Sequence, residues 1–85
     1  MTKQEKLLKR FLSKPNDFSF SEIKKLLKGF SYSEIRTGKT SGSRLAFYNE
    51  EQRHLIRLHK PHPQNRVKRY ILDYLEDELR NAGVL

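Results

Sequence analysis

Residues 39–63 read KTSGSRLAFYNEEQRHLIRLHKPHP, and how this stretch folds decides the architecture of the whole chain. Two runs within it, residues 43–49 and 54–60, alternate apolar and polar side chains as half-buried strands do. Successive side chains on a strand point to opposite faces. Leu45 and Phe47 are therefore expected on one face, together with Ile56 and Leu58 of the second run. Arg44, Ala46 and Tyr48 fall on the other, with Leu55, Arg57 and His59. Glu50-Glu51-Gln52-Arg53 closes the pair into a β-hairpin, whose second strand runs into the loop His59-Lys60-Pro61-His62-Pro63. The start of one antiparallel strand lies beside the end of the next, so Arg44 and His59 are expected to be neighbours.

The hairpin needs a partner layer, and the flanking sequence supplies helices. Before it, Ser19 precedes Glu22 by three residues, a capping box, and Phe18 with Ile23 forms the hydrophobic staple around it. Ile23, Leu26 and Leu27 make the buried stripe of this helix, with Gly29 placed as a left-handed C-terminal cap. Residues 2–13 suit an earlier helix with Leu7, Leu8, Phe11 and Leu12 on one side, broken at Lys14-Pro15. Residues 30–36 form a short strand, followed by the turn-rich stretch 37–42. That stretch is not a phosphate-binding P-loop, because a strand follows it where a helix would be required.

After the hairpin, Val67, Tyr70, Ile71, Tyr74, Leu75 and Leu79 recur at three- and four-residue spacing, which predicts a final helix. Asn65 is its expected cap and Gly83 its stop. Tyr70 and Tyr74 could stack on nucleobases, but at this spacing they are expected in the core with their hydroxyls reaching solvent. The order is helix, helix, three strands, helix. It predicts an α+β fold in one domain, residues 1–85, with the helices on one face of a three-stranded antiparallel sheet.

Composition narrows the function. The 85 residues hold 18 Lys and Arg against 10 Asp and Glu, a formal charge of +8. The charge is polarised: no acidic residue occurs from His54 to Tyr70, whereas Asp73, Glu76, Asp77 and Glu78 follow in the last helix. A polyanionic partner is the expected consequence, most often nucleic acid. The chain has no cysteine, which removes disulfides and thiolate metal sites. No apolar run approaches the roughly 18 residues of a membrane span, and no secretory leader is visible. A soluble, cytoplasmic protein is expected.

The order of elements resembles a known family. A helix ending in Gly29-Phe30, a short strand, a glycine turn with Gly42-Ser43, a strand pair, a Pro61-His62-Pro63 loop and a last helix are similar to the HicA toxins of bacterial toxin–antitoxin pairs. The likeness covers residues 19–85, and the N-terminal helix (residues 1–14) lies outside it. It implies a double-stranded-RNA-binding-like α-β-β-β-α core, an mRNA interferase activity and a HicB-like antitoxin as partner. In that family a Gly-Ser-His motif opens the second strand and its histidine is catalytic. Here Gly42 and Ser43 match, but position 44 is arginine.

Arginine stays protonated at physiological pH, so Arg44 cannot act as a general base; it can hold a phosphate or offset charge on a pentacoordinate phosphorus. Metal-independent RNA cleavage needs one group to deprotonate the 2′-hydroxyl and another to protonate the leaving 5′-oxygen, tasks suited to histidine. His59, on the Arg44 face, is the first candidate and His62 the second. His54 aligns with Ile56 and Leu58 and is expected to be structural. Lys39, Ser43, Arg57, Lys60, Arg66, Lys68 and Arg69 are the expected RNA-binding residues, giving salt-sensitive affinity. His59 and His62 could also be read as two metal ligands, but no cysteine or nearby carboxylate completes a set. No cofactor is expected. Two other readings stay open: a non-catalytic double-stranded-RNA-binding module, and a domain whose basic patch docks an acidic protein.

Overall fold

A computed structural model describes residues 2–35, 44–59 and 66–85. The chain is α+β, in the order α1 (Lys3–Leu12), α2 (Phe20–Gly29), β1 (Tyr32–Ile35), β2 (Arg44–Asn49), β3 (His54–His59) and α3 (Arg69–Asn81). The three strands form one antiparallel sheet in the order β1-β2-β3. Among the described residues, no helix is long and apolar enough to cross a membrane.

The strand faces follow the alternation of the sequence. Leu45 pairs with Leu58 and Phe47 with Ile56, and on that face Phe47, Ile56 and Leu58 are buried. They close one core with Phe11, Phe18, Ile23, Leu26, Leu27, Leu72, Leu75 and Leu79, so the helices cover this side. Each of these large apolar side chains contributes about 1.5–3 kcal/mol on burial. The opposite face carries Ser33, Ala46, Tyr48 and Arg57, of which Ser33 and Arg57 are exposed and Ala46 is buried. The expected first strand of residues 30–36 is shorter than its sequence suggested. Phe30 instead caps α2, and strand pairing begins at Tyr32.

Helix α2 begins as expected. The Ser19 hydroxyl accepts from the Glu22 N–H, the Glu22 carboxylate accepts from the Ser19 N–H, and Phe18 and Ile23 are fully buried beside the cap. Its end differs. Gly29 is still helical, and the left-handed residue is Ser31, with φ 71° and its N–H donating to Lys28 O at 3.0 Å. Gly29 has a tertiary role: a Cβ there would run into the side-chain amide of Gln4, which donates to Leu26 O at 3.2 Å. The far end of the Gln4 side chain thus occupies the space a Cβ at position 29 would take.

A second tie joins the N-terminal segment to α3. Lys14, just past α1, donates to Asp73 at 2.7 Å and Glu76 at 2.6 Å. These partners raise the pKa of Lys14, Asp73 most, and Lys14 in turn holds the Glu76 carboxyl below its usual range, helped by Arg80. Helix α3 stops as Gly83 suggested. Gly83 has φ 78°, its N–H donates to Arg80 O and the Val84 N–H to Leu79 O, a Schellman ending. Its start does not follow the expectation. Asn65 lies outside the described residues, and the N-cap is Lys68, which makes no side-chain cap hydrogen bond.

Candidate nucleic-acid interface

Hairpin register sets up the candidate site. Arg44, the first residue of β2, pairs with His59, the last of β3. Ala46 pairs with Arg57 and Tyr48 with Leu55. The expected neighbourhood of Arg44 and His59 is therefore present in the backbone, with opposed Cα atoms about 4.5–5.5 Å apart in such pairs. His59 and Arg57 are exposed, two residues apart along the edge strand.

Helix α3 brings further cations to the same end of the molecule. Its axis runs antiparallel to β3, because Tyr70 and Ile71 border the same cleft as His59 while Glu78 lies beside His54 at the far end of the strand. The segment leading into α3 is stitched to the entry of α2: Ser19 and Arg66 form an antiparallel bridge, and the Val67 N–H donates to Phe18 O at 2.9 Å. Arg66, Lys68 and Arg69 are exposed there. With no acidic residue in its first turn, α3 opens on a positive helix terminus next to these cations. Lys39, Ser43, Lys60 and His62, also expected to contribute, lie outside the described residues.

Internal ion pairs leave this end positive. Arg10 holds Asp17 and Glu22, Lys14 holds Asp73 and Glu76, Lys24 holds Glu34, and Arg80 holds Glu76. Arg57, Arg66, Lys68 and Arg69 make no ion pair with any acidic side chain among the described residues. Their charge is available to a partner, and phosphate is the anion that a row of guanidinium and ammonium groups fits.

His54 is structural, as its place in the alternation indicated. Its Nδ1 lies 2.7 Å from the Tyr32 hydroxyl, the two rings meet edge to face, and its Nε2 is 3.8 Å from Glu78. Burial and the nearby Glu78 charge push the Tyr32 phenol upward, so it stays neutral and able to donate.

The expectation for the two tyrosines of α3 is overturned. Tyr70 is 67% exposed and Tyr74 41%, while Leu72, Leu75 and Leu79 fill the core. They border an open cleft of about 280 Å³ with Arg57, Leu58, His59 and Ile71. The signal was present in the helical phase. Leu72, Leu75 and Leu79 share one face at a 3.6-residue period, and Tyr70 and Tyr74 share another. Tyr74 is anchored, with its hydroxyl donating to Glu78 at 3.4 Å and the Arg57 backbone N–H facing it. Burial, reinforced by the Glu78 charge, raises its pKa. Among the described residues, no group of three or more His, Cys, Asp or Glu could hold a metal ion.

Compared with protein-family models, with curated proteins and with solved structures, the chain has no match in any of the three.

Proposed function

We propose that the protein binds RNA through the end of the molecule that carries Arg44, Arg57, His59, Arg66, Lys68 and Arg69, and that it cuts the bound strand without a metal ion. The observation carrying this reading is the pairing of Arg44 with His59 in the β2–β3 register, beside Arg57, Arg66, Lys68 and Arg69, which no acidic side chain among the described residues neutralises.

The chemistry assigned to the corner is transesterification. His59 takes the proton from a ribose 2′-hydroxyl, and that oxygen attacks the adjacent phosphorus. The P–O5′ bond breaks, and the leaving oxygen takes a proton from a second group, for which His62 is the sequence candidate. Arg44 would offset the charge on the pentacoordinate phosphorus, while Arg57, Arg66, Lys68 and Arg69, with Lys39, Ser43 and Lys60, hold neighbouring phosphates. The α-β-β-β-α order supports a double-stranded-RNA-binding-like classification. With the HicA-like order of elements, it makes an mRNA interferase toxin the particular reading, and a HicB-like antitoxin the partner that would cover the basic end.

The test is incubation of purified protein with messenger RNA in EDTA, beside His59→Ala, His62→Ala and Arg44→Ala variants. Cleavage by the wild type and its loss in His59→Ala support the assignment. Cleavage retained by both histidine variants would rule it out. Salt-dependent binding without cleavage would leave a non-catalytic RNA-binding module, and absence of binding at low salt would leave protein docking.

A further inference from the structure

We infer that the cleft between β3 and α3 is a nucleobase site, and that the RNA this protein engages is single-stranded at that point. The inference rests on the RNA-binding reading and adds to it the class of RNA and the residues that sort it.

Four observations converge on the cleft. Its volume, about 280 Å³, falls just below the roughly 300 Å³ at which pockets for drug-sized ligands begin, so it suits one flat ring system. Its walls are two tyrosine rings, Leu58 and Ile71, with Arg57 and His59 at the strand edge. Tyr70 is the most exposed large apolar side chain among the described residues, and its hydroxyl has no hydrogen-bond partner among them, so no hydrogen bond among the described residues accounts for its position. Tyr74, by contrast, donates its hydroxyl to Glu78 at 3.4 Å, so the cleft sets one hydrogen-bonded tyrosine beside one without a partner among the described residues.

Aromatic faces flanked by cations are how proteins hold unpaired bases, with the ring stacking on the base and the cation meeting the phosphate. A base inside a duplex is already stacked on both sides and cannot offer its face to a tyrosine. The occupant is therefore an unpaired nucleotide. Because His59 lines the same cleft, the ribose and phosphate of a base seated there lie next to the group assigned to proton transfer. A single strand also has the backbone freedom that in-line attack by a 2′-oxygen requires and that an A-form helix denies.

Fluorescence anisotropy tests this with a short fluorescein-labelled single-stranded RNA and the same sequence annealed into a blunt duplex, at several salt concentrations. The proteins are wild type, Tyr70→Ala and Tyr70→Phe. Wild type is expected to bind the single strand more tightly than the duplex. Tyr70→Ala should weaken single-strand binding roughly 5- to 100-fold with the salt slope unchanged, and Tyr70→Phe should retain wild-type affinity. Tyr70 is exposed, so the variants are expected to fold, and far-ultraviolet circular dichroism checks this. Equal single-strand affinity in wild type and Tyr70→Ala, or preference of the wild type for the duplex, would overturn the base site while leaving RNA binding intact. Absence of salt-dependent binding to either RNA would overturn both readings.

Discussion

Replacing Lys14 with methionine isolates the contact that ties the N-terminal segment to α3. Lys14 spans 59 residues to Asp73 and 62 to Glu76, at 2.7 and 2.6 Å, with its side chain only 13% exposed. Methionine keeps the apolar stem and removes the charge. The two arms are unequal: Asp73 is 52% exposed, so water screens it, whereas Glu76 is 21% exposed. A screened surface pair contributes about 0.2–1 kcal/mol, and a charged hydrogen bond in a drier setting about 1.5–3 kcal/mol. Glu76 keeps Arg80 at 2.8 Å, so it is not left as a lone buried charge, and the 3–5 kcal/mol penalty of that case does not apply. The expected loss is about 2 kcal/mol, a fall in Tm of about 10 °C for a domain of this size. The pH dependence follows from the two shifts. Glu76 has a lowered pKa, so its contribution is present above the ordinary carboxylate value of 4.5 and is lost as pH falls through the folded value. Lys14 has a raised pKa, so its contribution is present below 10.5 and is lost as pH rises through the folded value. Urea unfolding of wild type and Lys14→Met should differ by a constant amount between those limits and converge in acid. A difference under about 0.5 kcal/mol at neutral pH, or one that persists unchanged in acid, would refute the reasoning.

Other perturbations test separate parts of the structure. Ser31→Gly should stabilise the fold by about 0.5–1 kcal/mol in urea melts, because Ser31 sits at φ 71° after α2, where glycine carries no Cβ penalty. Tyr32→Phe should cost about 1 kcal/mol, since it leaves the half-buried His54 Nδ1 without its hydroxyl partner, and RNA cleavage should be unaffected. Arg57→Ala should weaken RNA binding at low salt and reduce the slope of log affinity against log salt by about 1, without lowering Tm.

What the sequence made legible was what neighbouring residues decide. The Ser19–Glu22 cap and the Phe18–Ile23 staple involve residues within one turn of one another, so their geometry is local. The hairpin is equally legible, because a period of two leaves only two faces and the apolar set can go to only one of them. Once the faces and the turn are set, the register that opposes Arg44 to His59 follows. The failures lie where a distant residue decides. Gly29 looked like a left-handed cap because glycine usually is one there, but its lack of a side chain serves Gln4 of another helix, and the left-handed turn falls to Ser31. On α3 two stripes compete at helical spacing. The helical phase separates them, and packing against the sheet takes Leu72, Leu75 and Leu79 into the core and leaves Tyr70 and Tyr74 at the cleft. The proposed role of His59 rests on residue chemistry: among the described residues it is the exposed histidine that the register sets opposite an arginine.

The central claim is that His59, opposite Arg44, starts a metal-free transesterification. Mass spectrometry of the RNA ends produced in EDTA tests it most directly. The account predicts fragments ending in a 2′,3′-cyclic phosphate with 5′-hydroxyl partners, present with the wild type and absent with His59→Ala. Fragments bearing 5′-phosphates, or RNA left intact by the wild type, would contradict it.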